Sequence, residues 1–128
     1  MNKEPEIRNT YKIHENGKIG EVQIADEVVA VIAGLAATEV KGVAATSGNV
    51  TNEIAGMLGK KNLSKGVKVT VNEDTVTVDM ALTLEYGYGI REIAGKVQEK
   101  VKNAIENMTG LTVRDVNIRI AGVNIVKG

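Results

Sequence analysis

Between Val67 and Tyr86 the chain alternates almost without fault: Val67, Val69 and Val71 against Lys68, Thr70 and Asn72, then, past Glu73-Asp74, Val76, Val78, Met80, Leu82, Leu84 and Tyr86 against Thr77, Asp79, Ala81, Thr83 and Glu85. A period of two puts each set on one face of an extended strand, so the segment predicts a β-hairpin whose apolar face needs a cover. The next stretch supplies it. Ile90, Ile93, Ala94, Val97, Val101, Ala104, Ile105 and Met108 recur at helical spacing, opposite Glu92, Lys96, Glu99, Lys100, Lys102 and Glu106, and Gly110 ends the pattern. Residues 111–126 then alternate through Val116, Ile118 and Ile120 and change phase at Ala121-Gly122 before Val123 and Ile125, which signals a bulge or bend. Strand, helix and strand make a crossover expected to be right-handed.

Upstream, residues 17–24 alternate briefly and predict one strand, and Asp26 and Glu27 place negative charge where a helix N-terminus favours it. A first helix is expected from Ala25 to Val40. Val28, Val31, Ile32 and Leu35 form its bulky stripe, beside a small strip of Ala30, Ala33, Gly34 and Ala37 that lets another helix approach closely, so burial on more than one side is expected. Gly42 stops this helix, residues 43–50 offer a short strand and turn, residues 51–58 a two-turn helix with Ile54, Met57 and Leu58 inward, and residues 59–66 a surface loop. Residues 1–16 are charged, lack an apolar signal region and read as a flexible tail before a single domain over 17–128.

Composition narrows the chemistry. Phe, Trp and Cys are absent and Tyr occurs three times, so the core must be aliphatic, and thiolate, disulfide and sulfur-ligated metal sites are ruled out. Sixteen basic residues balance sixteen acidic ones, which argues against a nucleic-acid partner, and the absence of Cys suits the reducing cytoplasm. The longest apolar run, Val28 to Ala37, falls short of a bilayer span, so no direct membrane insertion is expected.

Each motif that could carry chemistry has a plainer reading. Gly87-x-Gly89 follows a strand and opens a helix, yet Glu92 stands where a dinucleotide fingerprint needs a small residue and brings negative charge to the phosphate position, so a tight corner is expected. Gly56-Met57-Leu58-Gly59, with Lys60, Lys61 and Lys65 nearby, matches the GxxG backbone turn of KH-type RNA binders, but it leads into a strand rather than a second helix. His14, the only histidine, lies in the tail without a partner, Ser47 and Ser64 lack a nearby base, and Asp79 and Glu85 fall on the polar hairpin face. Asn72-Glu73-Asp74-Thr75 lacks calcium-loop spacing and reads as a hairpin turn. No catalytic residue, cofactor site or metal site is nominated.

The blocks at residues 17–43, 59–69, 85–111 and 113–123 together resemble the alkaline shock protein, or envelope stress response, family of Gram-positive bacteria. The resemblance implies a cytoplasmic, non-enzymatic protein of envelope stress or homeostasis, held near the membrane in some members by a membrane-anchored partner. Other similar proteins are encoded beside fatty-acid metabolism genes, including those of acetyl-CoA carboxylase, so modulation of that pathway is one alternative and RNA binding through the GxxG-like basic loop is another.

The expected fold is α+β and two-layered: a mixed sheet of the hairpin and the strand at Val116–Ile120, with two long helices packed on one face. Homo-oligomerisation or docking on a protein partner is expected through helix one or the edge at Val123–Val126. Gly59, Lys60, Lys61 and Lys65 are the candidate docking loop, where cations can meet an acidic segment without disturbing the core.

Overall fold

The long alternating strand is the centre of the molecule. The computed structural model describes residues 10–14, 20–46 and 64–125. In chain order they form β1 (Thr10–His14), β2 (Val22–Ala25), α1 (Asp26–Thr38), β3 (Val43–Ala45), β4 (Val67–Asn72), β5 (Thr75–Glu85), α2 (Ile90–Thr109) and β6 (Thr112–Asn124). Along β5, Val76, Val78, Met80, Leu82 and Leu84 are all buried, as the period of two requires.

One edge of β5 carries β4, antiparallel from Asn72↔Thr75 to Val67↔Met80, and farther along carries β3, with Val43 opposite Leu84. The other edge carries β6, parallel from Thr75↔Thr112 to Glu85↔Asn124. The sheet is therefore mixed. The turn at Glu73-Asp74 puts Glu73 at φ 64°, the conformation that two-residue hairpin connections demand. Register shifts in the β5–β6 pairing between Leu82 and Thr83, so Ala121 is the extra residue of a bulge where the sequence changes phase, and a second shift leaves Arg114 extra.

Both helices cover the same sheet face. Ile93, Val97, Val101 and Ile105 of α2 join Val29, Ile32, Ala33, Ala36 and Ala37 of α1 and the inner residues of β5 in one apolar core. The small strip of α1 lets the two helices pack against each other, with α1 over β4 and α2 over β6.

Several placements differ from expectation, each because packing chose differently from periodicity. Helix α1 buries its small strip together with Val29 and Ile32, while Val28 and Leu35 of the bulky stripe are nearly half exposed, at 46% and 47%. Tyr86 leaves the sheet after Glu85 rather than continuing the apolar alternation, and Ile90 and Met108, near the two ends of α2, are exposed. Residues 10–14, which the sequence assigns to a tail, pair as β1 with β2, Thr10 opposite Ala25. The helix expected over 51–58 lies outside the described residues.

The α2–β6 connection is closed by side chains. Gly110, at φ 80°, ends α2, Thr109 Oγ1 donates to the Ile105 carbonyl and accepts the Leu111 N–H, and Glu106 Oε2 accepts the Val113 N–H at 2.8 Å. That backbone hydrogen bond first, and the Lys102 ammonium second, hold the Glu106 carboxyl below its ordinary pKa. A depressed carboxylate contributes stability that is complete above its unfolded-state pKa and is lost as pH falls through the folded value. Glu106→Gln should therefore flatten the loss of stability below about pH 4.3, read as urea midpoints across an acid series. An unchanged slope would remove Glu106 from the acid response.

Candidate interaction surface

Of the four loop candidates, Gly59, Lys60 and Lys61 lie outside the described residues, as does the Gly56–Gly59 turn. Lys65 is exposed just before the chain enters β4.

The Gly-x-Gly corner is described in full. Gly87 takes φ +104°, which lets the chain leave β5 abruptly. Tyr88 then lies against Gly42, also at φ +104°, so closely that a Cβ on Gly42 would meet the ring at 2.9 Å and the Ile93 side chain at 3.0 Å. Gly89 is the N-cap of α2, and Glu92 stands in the first turn, its Oε1 3.9 Å from where a Cβ on Gly89 would be. A carboxylate therefore occupies the approach that an anion would need, and the motif serves as a corner.

The corner leaves apolar surface in water. Tyr86 is 73% exposed and Ile90 53%, and the end of β6 lies alongside, because the Tyr86 N–H donates to the Asn124 carbonyl at 3.0 Å. Val123 and Ile125 flank that carbonyl and are exposed too. Two of the chain's three tyrosines stand here, in a protein without Phe or Trp. A second apolar strip runs along α1, where Val28, the half-buried Val31 and Leu35 follow at helical spacing, with exposed Val22 of β2 preceding them. Scattered exposed apolar residues need no explanation, whereas a contiguous group marks a contact surface.

The sequence named helix one and the β6 end as docking surfaces but placed Tyr86 and Ile90 inward, because both periodicities assign them so. The available signal was position: each stands at the outer end of its element, next to the Gly-x-Gly corner.

The charged groups form ordinary surface pairs. Glu92 meets Lys96, Glu39 meets Lys100, and Lys102 meets Glu106, while Asp79 Oδ1 accepts the Asn117 Nδ2 hydrogen bond at 3.0 Å. Among the described residues no three His, Asp or Glu side chains converge on a metal-sized point, and no helix is long and apolar enough to cross a membrane. His14 lies in β1.

Comparison with known proteins follows the same blocks. The profile of the alkaline shock protein 23 family, described as having a cell envelope-related function, matches residues 14–125. The chain is 42% identical over 110 residues to the Bacillus subtilis protein YqhY, an overlap covering 86% of this chain and 82% of that one. It is 36% identical over 110 residues to YloU of the same organism, covering 84% and 92%. Identity to Spy1614 of Streptococcus pyogenes is 33% over 113 residues, covering 87% and 93%. No solved structure matches.

Proposed function

Since the chain belongs to the alkaline shock protein 23 family, whose described function is cell envelope-related, we propose that it is a non-catalytic interaction domain that serves the envelope by holding a protein partner at its apolar corner. The observation that supports this most is the group Tyr86, Ile90, Val123 and Ile125, large apolar side chains left exposed together where β5, α2 and β6 meet. Tyrosine brings broad contact area at low conformational-entropy cost, the property that makes aromatic residues interface anchors. The small residues that line the inner side of α1 let the two helices pack against each other.

The resemblance to members held near the membrane by an anchored partner makes the membrane fraction the first place to look. In-cell crosslinking followed by capture, with the wild type set against Tyr86→Asp with Ile125→Asp, should show recovery of the partner falling about tenfold or more, the effect of losing anchor residues worth at least ~1.4 kcal/mol. Both side chains are exposed, so circular dichroism should be unchanged. Undiminished recovery would move the dock elsewhere, and charge reversal at Lys60, Lys61 and Lys65 would then test the loop. A captured nucleic acid whose binding collapses with rising salt would replace this reading with RNA binding.

A further inference from the structure

The outer edge of β6 is unpaired among the described residues, because β6 pairs with β5 alone. A free edge of this length attracts another strand unless it is blunted. Two α2 side chains treat it unequally. Glu106 caps the Val113 N–H and closes the start of the strand. Gln98 Nε2 donates to the Val116 carbonyl at 3.0 Å, which leaves that oxygen a second lone pair. Between the two bulges, Asp115 to Ile120 run in regular register beside Thr77 to Leu82. Backbone groups of a regular strand alternate between its two neighbours, so Ile118 and Ile120 present theirs to the open edge together with Val116.

The side chains of this run are self-complementary. Asp115, Asn117 and Arg119 stand beside Thr77, Asp79 and Ala81, on the sheet face away from the helices, and all three are exposed. Asp115 has only a loose 3.6 Å pair with Arg114, and Arg119 has no ion-pair or hydrogen-bond partner among the described residues. Two antiparallel copies that form one continuous sheet with like faces together must be related by a two-fold axis through a residue, because opposed residues share a face. An axis through Val116 sets Asp115 against Asn117, and one through Ile118 sets Arg119 against Asn117; neither pairs opposite charges. An axis through Asn117 sets Asp115 against the second copy's Arg119 twice, while Val116 and Ile118 oppose each other on the helix side and extend the apolar layer.

We propose that the β6 edge is a homodimer interface in which a second copy of this chain pairs antiparallel about Asn117, joining the two sheets into one. This inference stands apart from partner docking at the corner, and a failure of either leaves the other intact. Cross-strand charge pairs are individually modest, but here two attractive pairs become two repulsive ones on a single substitution, since the axis repeats every contact.

The test is analytical ultracentrifugation of the full-length chain at low salt. The wild type should dimerise with rising concentration. Asp115→Arg alone, which opposes Arg to Arg, and Arg119→Asp alone, which opposes Asp to Asp, should each weaken self-association by about tenfold or more. An equimolar mixture of the two variants should restore the dimer, because each Arg then meets an Asp of the other chain, and the double variant D115R/R119D should dimerise by itself. Unfolding midpoints of the variants, measured alongside, should match the wild type, because the changed side chains are exposed. A wild-type monomer at every attainable concentration, a dimer indifferent to the single changes, or a mixture no tighter than its components would each overturn the proposal.

Discussion

Leu82→Ala should lower the stability of this domain by about 2–5 kcal/mol, the range for emptying a fully buried aliphatic site. Leu82 is completely buried in the central strand, with β6 on one side, opposite Ile120, and on the other side it lies between the β4 pairing, which ends at Met80, and the β3 pairing at Thr83 and Leu84. The size of the loss depends on how far the surroundings can collapse into the cavity. Here they are held in part: the backbone of Leu82 is paired with β6, and Ala33, Ala36 and Ala37 of α1 in the same core have no length to reach inward. No aromatic ring is present in this core to swing into the gap. Urea unfolding should show the midpoint falling with little change in slope. Thr77→Val, on the opposite face of the same strand, should stay within about 0.5 kcal/mol. A loss under ~1 kcal/mol at Leu82, below the range for such truncations, would mean that the helices settle onto the sheet more freely than their packing indicates.

Gly42→Ala is the second large effect expected, roughly 1–3 kcal/mol from backbone strain alone. Gly42 sits at φ +104°, beyond the conformations that a residue with a Cβ adopts readily, and its carbonyl accepts the Glu85 N–H at 2.8 Å, which ties the end of α1 to the end of β5. A methyl group would also press on the Tyr88 ring and the tip of Ile93. The two causes separate in a double-mutant cycle. Tyr88 is partly exposed and can swing outward, so Tyr88→Ala should recover only the steric share, and most of the cost should persist in Gly42→Ala/Tyr88→Ala. Full recovery in the double variant would assign the cost to the ring rather than to the backbone. Because Tyr88 belongs to the corner that carries Tyr86 and Ile90, the same substitution should also weaken capture of a protein partner.

The hairpin was legible because a period of two leaves each residue of β5 only two faces to choose from, and a single slip would have exposed Val78 and Leu82 together. Helix α2 was legible for a related reason: its charged residues permit one inward stripe, and Ile93, Val97, Val101 and Ile105 fill it. Even the bulge at Ala121 was visible, because the apolar phase changes there. Helix α1 was different. It is apolar on nearly every side, so no rotation about its axis was excluded by periodicity, and of the bulky stripe Val28, Val31, Ile32 and Leu35 only Ile32 is buried, together with the small strip.

By itself, the sequence determined the elements whose two sides differ: β4, β5, α2 and β6, the stop at Gly110, and an aliphatic core; α1 ends at Thr38 with Glu39 as its C-cap, short of the stop expected at Gly42. Tertiary structure alone decided which side of α1 turns inward, since only contact with α2 rewards small residues over large ones. It also decided that β3 completes the β4 side and that β1 pairs with β2, because backbone hydrogen bonding is blind to residue identity and depends on which strands are brought together. The exposed corner belongs to that second group. Tyr86 lies one residue past the end of β5 and Ile90 opens α2, and both are exposed, because where an element ends relative to its neighbours is a property of the assembled fold.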